Sequence, residues 1–217
     1  GHEVLVGNPR KLRMIWDSDE KYDDRDAEML ARVAQFDPKL LYPITHRSAK
    51  TQYDLAVIKG RDMLVKTRSQ LVTHARGMVK STGKRISTCS TASFHLRLRD
   101  EMPNELEHAL EPIMKVIEDL TRRIRHYDKR IKEMSEEDYP ETKLVGQIPG
   151  AGPITSLAFI LTLESADRFE KSRDVGPYIG LTPKRDQSGA TDKQLHITKA
   201  GDAHLRRLLV GSAQYIL

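Results

Sequence analysis

The sequence predicts an α/β segment followed by an α-helical remainder: the end of a mixed domain, a long helical coiled-coil arm, and a small, mainly helical C-terminal domain. Three observations predict it. Within the first 48 residues a strand-like run, Val4-Leu5-Val6, leads through a turn and an acidic stretch into a helix-like one. From Ile113 to Met134 the apolar positions recur alternately four and three residues apart, which is a heptad seam. Beyond Pro140 the pattern breaks into short apolar runs punctuated by glycine and proline. The three parts are expected at 1–48, 49–139 and 140–217.

In the first part, a Gly7-Asn8-Pro9 turn follows the apolar triplet, a short amphipathic stretch runs to Trp16, and an acidic loop spans Asp17 to Asp26. Ala27, Leu30, Ala31 and Ala34 then fall at helical spacing. Strand, loop and helix read as the end of an α/β domain, whose beginning is expected before Gly1. In the second part, Ile58, Leu64, Leu71, Ala75 and Met78 repeat at helical intervals without an internal proline, so one long helix is expected from Ala49 to about Lys80. A Ser/Thr-rich connection separates it from the seam Ile113, Ile117, Leu120, Ile124, Tyr127, Ile131 and Met134. Two such helices form an antiparallel arm most simply; the same seam suits an ordinary bundle core or pairing between chains. In the third part, HLRRLLVGSAQYIL is still helical at Leu217, so the helix is expected to continue.

Composition narrows the function. Of the 217 residues 31% are charged and 6% aromatic, and the longest apolar run, Ile154 to Leu163, is too short to span a bilayer. A single cysteine, Cys89, supports neither a disulfide framework nor a cysteine zinc site. A cytoplasmic location is the default expectation. The net charge of +5 is unevenly spread: residues 61–99 carry nine Lys/Arg against one acid, Asp62. A surface for polyphosphate explains that block, and so does a solvated helix face.

Three motifs bear on chemistry. Ile148-Pro149-Gly150-Ala151-Gly152-Pro153 before an apolar helix is a helix-hairpin-helix pattern, in which Gly150 and Gly152 let backbone amides approach a phosphate. A plain packing corner between two helices uses the same residues. Asp23 and Asp26 stand three apart at a helix start, as two oxygen ligands for Mg²⁺ would; Asp23 as N-cap with acids in the first turn is the competing explanation. Ser188 beside Gly189 lies in a polar loop flanked by Lys184, Arg185, Lys193, His196 and Lys199, where a hydroxyl could meet a phosphodiester. Ser-Gly is also a common turn.

Together these residues resemble a family. IPGAGPITSLAFILTL, RFEKSRDVGPYIGLTPKRDQSG and HITKAGDAHLRRLL are similar to the C-terminal domain of the DEDD-type transposases of insertion-sequence family 110, relatives of the Piv-type invertases. VLVGNPRKLRMI with KYDDRDAEMLARV resembles the tail of the same family's RuvC-like (RNase H-like) domain, and the family has a coiled coil between the two. The resemblance implies that Asp23 and Asp26 are the last two acids of a four-acid Mg²⁺ site and that Ser188 is the serine nucleophile. The first Asp and the Glu of that set are expected upstream, since Glu3 is the only acid in residues 1–16. The resemblance further implies phosphoryl transfer on DNA, a structured non-coding guide (bridge) RNA, a homodimer or homotetramer, and a prokaryotic, nucleoid-associated protein. Phosphate contacts are expected from Lys184, Arg185, Lys193 and Lys199 near the serine, and from Arg68, Arg76, Lys80, Lys84 and Arg85 on the arm. A non-catalytic nucleic-acid-binding module and a RuvC-like nuclease using water are the alternatives.

Overall fold

The computed structural model describes residue 2 and residues 4–12, 22–189 and 191–216. They divide into two compact units, Gly1–Ser48 and Ala49–Leu217. Residues 13–21, which include most of the amphipathic stretch to Trp16 and the start of the acidic loop, lie outside the described residues.

In the first unit, helix α1 spans Asp23–Phe36, so the acidic stretch is already helical from Asp23 on. It buries none of its residues. A 3-10 turn, Pro38–Leu41, follows, started by Asp37, whose side chain accepts from Lys39 N at 2.9 Å. The strand expected at Val4–Val6 does not form. Val6 O accepts from Ile44 N at 2.9 Å and Asn8 N donates to Leu41 O at 3.0 Å, but among the described residues of this unit no strand offers a ladder, and Val4 stays 79% exposed. Leu12 and Leu41 are buried here, with Gly7 so close that a Cβ would lie 2.9 Å from Leu12 Cδ1.

The second unit begins with α2, Ala49–Ser81, followed by α3, Phe94–Glu101, and α4, Glu107–Glu133. One π-helical turn, Met134–Asp138, extends α4. The seam on α4 packs inside the chain: Ile117, Leu120, Ile124, Ile131 and Met134 are buried. On α2 the buried positions are Leu55, Ile58, Val72, Ala75 and Val79, whereas Leu64, Leu71 and Met78 are only partly covered. The face is thus rotated from the expected one, because it must meet α4 at one end and α3 at the other.

Two cores result. At the far end Val72, Ala75, Val79, Phe94, Leu98, Leu110, Met114 and Ile117 pack together. At the near end Leu55, Ile58, Ile131 and Met134 join Leu157, Ala158, Leu161, Ile179 and Leu205. Leu55 and Ile131 share one end and Val79 and Leu110 the other, so α2 and α4 run antiparallel. Between the cores lies a polar layer, with Arg61 Nε 2.9 Å from Asp128 Oδ1 and Arg68 Nη1 donating to Thr121 Oγ1 at 3.2 Å.

The near core carries the rest of the chain: α5, Thr142–Val145; α6, Pro153–Leu163; α7, Val175–Ile179; strands β1, Pro183–Ser188, and β2, Thr191–Ile197; and α8, Ala203–Ala213. Because α6, α7 and α8 share this core with α2 and α4, residues 49–139 and 140–217 pack into one compact unit. Where the chain turns there, Tyr139 donates to Asp54 Oδ2 at 2.5 Å and accepts from Lys50 Nζ at 2.8 Å, tying the end of the π-turn to the start of α2. Among the described residues no helix is long and apolar enough to cross a membrane.

Candidate functional site

Ser188 is the last residue of β1, not part of a loop. The strands form an antiparallel hairpin in which Ser188 pairs with Thr191, Gln187 with Asp192, Asp186 with Lys193 and Arg185 with Gln194. Alternation puts Asp186 and Ser188 on one face, and the register adds Lys193 to it, whereas Lys184 sits where the register shifts between Pro183 and Arg185. Every residue of β1 is exposed, so Ser188 presents its hydroxyl to solvent at the turn end of a polar ribbon.

The base of the ribbon is held tightly. Thr198 N donates to Thr182 O at 2.9 Å and Lys199 N to Gly180 O at 3.1 Å. Gly180 and Gly201 both have positive φ, +79° and +69°, and a Cβ on either would run into the backbone of Ala200 or Tyr178 respectively. Only glycine fits there. Arg206 completes the clasp by donating to Ile179 O at 2.9 Å and to Ala200 O, so this cation is structural. Asp202 starts α8 by accepting from Leu205 N at 2.9 Å.

The cations named for this region differ in availability. Lys184, Lys193 and Lys199 are exposed and have no carboxylate partner among the described residues. Arg185 is committed to Asp192 across the hairpin, Nε to Oδ1 at 2.8 Å and Nη2 to Oδ2 at 2.5 Å, and these bonds hold the Asp192 carboxyl below its usual range. It therefore stiffens the ribbon before it could meet a phosphate. A pocket of about 470 Å³ opens beside it, lined by Pro183, Lys184, Arg185, Asp192 and Gln194.

At the helix-hairpin-helix pattern, Gly150 has φ +81° and a Cβ would lie 2.6 Å from Ser212 O, while Ser212 Oγ donates to Gly150 O at 2.9 Å. The close approach this glycine permits is to α8. Gly152, at the N-terminus of α6, has nothing within 4 Å of its Cβ position and is open.

On the arm, Arg68 is buried at 8% exposure and reaches Thr121, so it presents no charge to a partner. Arg76 donates to Ile86 O at 3.1 Å and Cys89 Sγ at 3.3 Å, with its guanidinium 4.9 Å from the Phe94 ring, and so secures the connection after α2. Lys84 pairs with Glu105 at 3.2 Å on the surface. Lys80 and Arg85 remain exposed without a carboxylate partner among the described residues.

Asp23 and Asp26 occupy the first turn of α1, in the other unit. The N-cap is Tyr22 rather than Asp23, and no side chain caps the helix. Neither Asp23 nor Asp26 has a hydrogen-bond donor among the described residues, and there is no group of three or more potential metal-binding side chains among them.

Sequence reasoning missed a cluster around Asp62. Lys66 Nζ lies 2.8 Å and His204 Nδ1 3.2 Å from Asp62 Oδ2, and Arg207 bonds Asp62 Oδ1. Burial alone would raise the Asp62 carboxyl, but Lys66 and Arg207, together with the His204 ring, hold it below its usual value. Asp62 as the lone acid of residues 61–99 was the available signal.

Residues 142–217 match the family model for the transposase IS116/IS110/IS902 family. The chain is 30% identical over 207 residues to the transposase for insertion sequence element IS1111A of Coxiella burnetii, covering 91% of this chain and 55% of that protein. It is 29% identical over 224 residues to the transposase for insertion sequence element IS1328 of Yersinia enterocolitica, covering 99% of this chain and 64% of that one. The chain thus spans little more than half to about two thirds of the length of these curated relatives. With the family model on its C-terminal segment and transposases aligned along nearly its whole length, the chain belongs to the IS116/IS110/IS902 family of transposases.

Proposed function

We propose that the protein cuts and rejoins DNA as a transposase or site-specific recombinase, with Ser188 as the nucleophile. The observation that carries this reading is the setting of Ser188: an exposed hydroxyl at the turn end of a solvated hairpin whose base is clasped by Gly180, Gly201 and Arg206. A nucleophile must reach a phosphorus buried among DNA atoms and still be held in position, and a stiff projecting ribbon meets both needs.

In the reaction, Ser188 Oγ forms a bond to phosphorus as one phosphorus–oxygen bond to the sugar breaks. The hydroxyl proton leaves to a base and the departing oxygen takes up a proton. The phosphoserine ester conserves the bond, so a hydroxyl of another strand can displace Ser188 without ATP. Lys193 shares the Ser188 face, and with Lys184 and Lys199 it supplies charge for the phosphate's oxygens.

Asp23 and Asp26 fit a hard divalent cation as part of a ligand set: two carboxylates in one helical turn, neither engaged by a donor among the described residues. Mg²⁺ would be held by them with the two further acids that the family resemblance implies, and would supply charge stabilisation at the phosphate. Two acids alone are too few, so activity is expected only from a protein that also carries the others. Selection of target and donor by a structured guide RNA, nucleoid association, and assembly as a homodimer or homotetramer follow from the resemblance. Lys80 and Arg85 are the arm cations left for a nucleic-acid backbone, and Gly152 the open backbone position at α6.

The test uses full-length protein with its element's RNA, labelled donor and target DNA and Mg²⁺ on a denaturing gel, beside Ser188→Ala. An adduct that survives denaturation and vanishes in the variant is expected. Cut strands with no adduct in either protein would replace this reading with a RuvC-like nuclease using water. DNA binding without cutting in either would leave a non-catalytic binding module.

A further inference from the structure

A groove of about 550 Å³ lies where α2 meets α8, and it is separate from the Ser188 hairpin. One wall carries Arg61, Lys66, Ser69 and Gln70 and the other Arg207, with Asp62 and His204 between them. The charges do not cancel. One carboxylate, Asp62, serves both Lys66 and Arg207, whose side chains stay 53% and 51% exposed. The side chains of Ser69 and Gln70 make no hydrogen bond among the described residues, and His204 Nε2 is buried without a partner. Residues 62, 66 and 69 fall on successive turns of α2, so these groups form a row along roughly 10 Å of helix. That is long enough to follow a strand's backbone. A small free anion finds no enclosed cage, because both cations are half exposed.

We propose that this groove binds the phosphodiester backbone of a nucleic-acid strand, with Lys66 and Arg207 on the phosphate oxygens, Ser69 and Gln70 as neutral donors, and Asp62 holding the two cations in place. The inference rests on the protein's acting on nucleic acid but needs neither Ser188 nor a metal. Backbone contacts of this kind position a strand without reading its sequence.

The experiment measures fluorescence anisotropy of labelled single-stranded DNA and RNA of about twenty nucleotides, titrated with the whole chain across a range of salt. Lys66→Gln with Arg207→Gln is compared with Lys129→Gln and Arg173→Gln, which remove the same charge from exposed positions outside the groove. The groove pair should weaken binding about tenfold more than the control pair and make the slope of log K against log salt shallower by about 1.4. Equal losses in the two pairs overturn the groove while leaving the nucleic-acid reading intact. If the unaltered chain binds neither oligonucleotide, that reading falls and the groove with it. Should the groove pair fail to fold, the His204 ring resonance in the unaltered chain, assigned with His204→Asn, gives a second readout. A shift on adding the oligonucleotide supports the proposal, whereas no shift during binding, or the same shift with inorganic phosphate alone, overturns it.

Discussion

At the scale of single residues, four positions separate structural from chemical roles. Ser188 Oγ makes no hydrogen bond among the described residues and is exposed, so Ser188→Ala should leave stability within about 0.5 kcal/mol in a urea melt. That makes it a clean probe of chemistry. Gly201 is the opposite case: with φ +69° and its Cβ position occupied by Tyr178 O, Gly201→Ala should cost about 2–4 kcal/mol. Gly189 has φ +56° but open space around it, so Gly189→Ala should cost only about 1 kcal/mol. Equal losses in the two variants would refute the clasp. Arg68 is buried with Nε unpartnered, and Arg68→Met should be neutral or stabilising and leave nucleic-acid affinity unchanged. Its charge was visible in the sequence; that it points into the arm depends on Thr121, 53 positions away.

At the scale of elements, the joint between α2 and α8 should respond to acid. Burial holds His204 below its ordinary value, even though Asp62 lies 3.2 Å away and pulls the other way. With the folded value depressed, the unfolded chain takes up this proton first as pH falls. Stability is therefore full above about pH 6.5 and declines as pH drops through the folded value. Asp62, also depressed, adds a loss of the same sign at lower pH, through its own folded value. The Tm should fall between about pH 7 and about pH 5.5, and His204→Asn should flatten that slope; an unchanged slope would assign the effect elsewhere. The helices of the second unit were legible in different degrees. The heptad on α4 announced itself, but the buried face of α2 did not, because Leu64, Leu71 and Met78 compete with Leu55, Val72 and Val79 for the same role.

At the scale of the molecule, the two units are connected through residues 42–48, which have no regular structure and are mostly exposed. Limited trypsin digestion should therefore cut after Arg47 before it cuts within α2 or α4, leaving a stable fragment that begins at Ser48. Early cleavage inside α2 would contradict the compactness of the second unit. No comparable break is expected at Pro140, since Leu55, Ile131, Leu161 and Leu205 belong to one core.

The long helices could be read from the chain alone, because apolar periodicity is a local property that one segment expresses by itself. It also marked Asp23, Asp26 and Ser188 through family resemblance and Gly150 through its motif, but not Gly180 and Gly201, whose Cβ positions are filled by backbone far away in the chain. What each of these meets emerges only on folding. Gly150 approaches α8, Arg76 and Arg206 serve as clasps, Arg185 is spent on Asp192, and the polar run around Ser188 is a hairpin. Those outcomes depend on contacts between residues far apart in the chain, and on which partner is present when a charge loses its water. A charged side chain looks alike in sequence whether it faces solvent or a carboxylate; burial and pairing, which only the folded chain creates, tell the two apart.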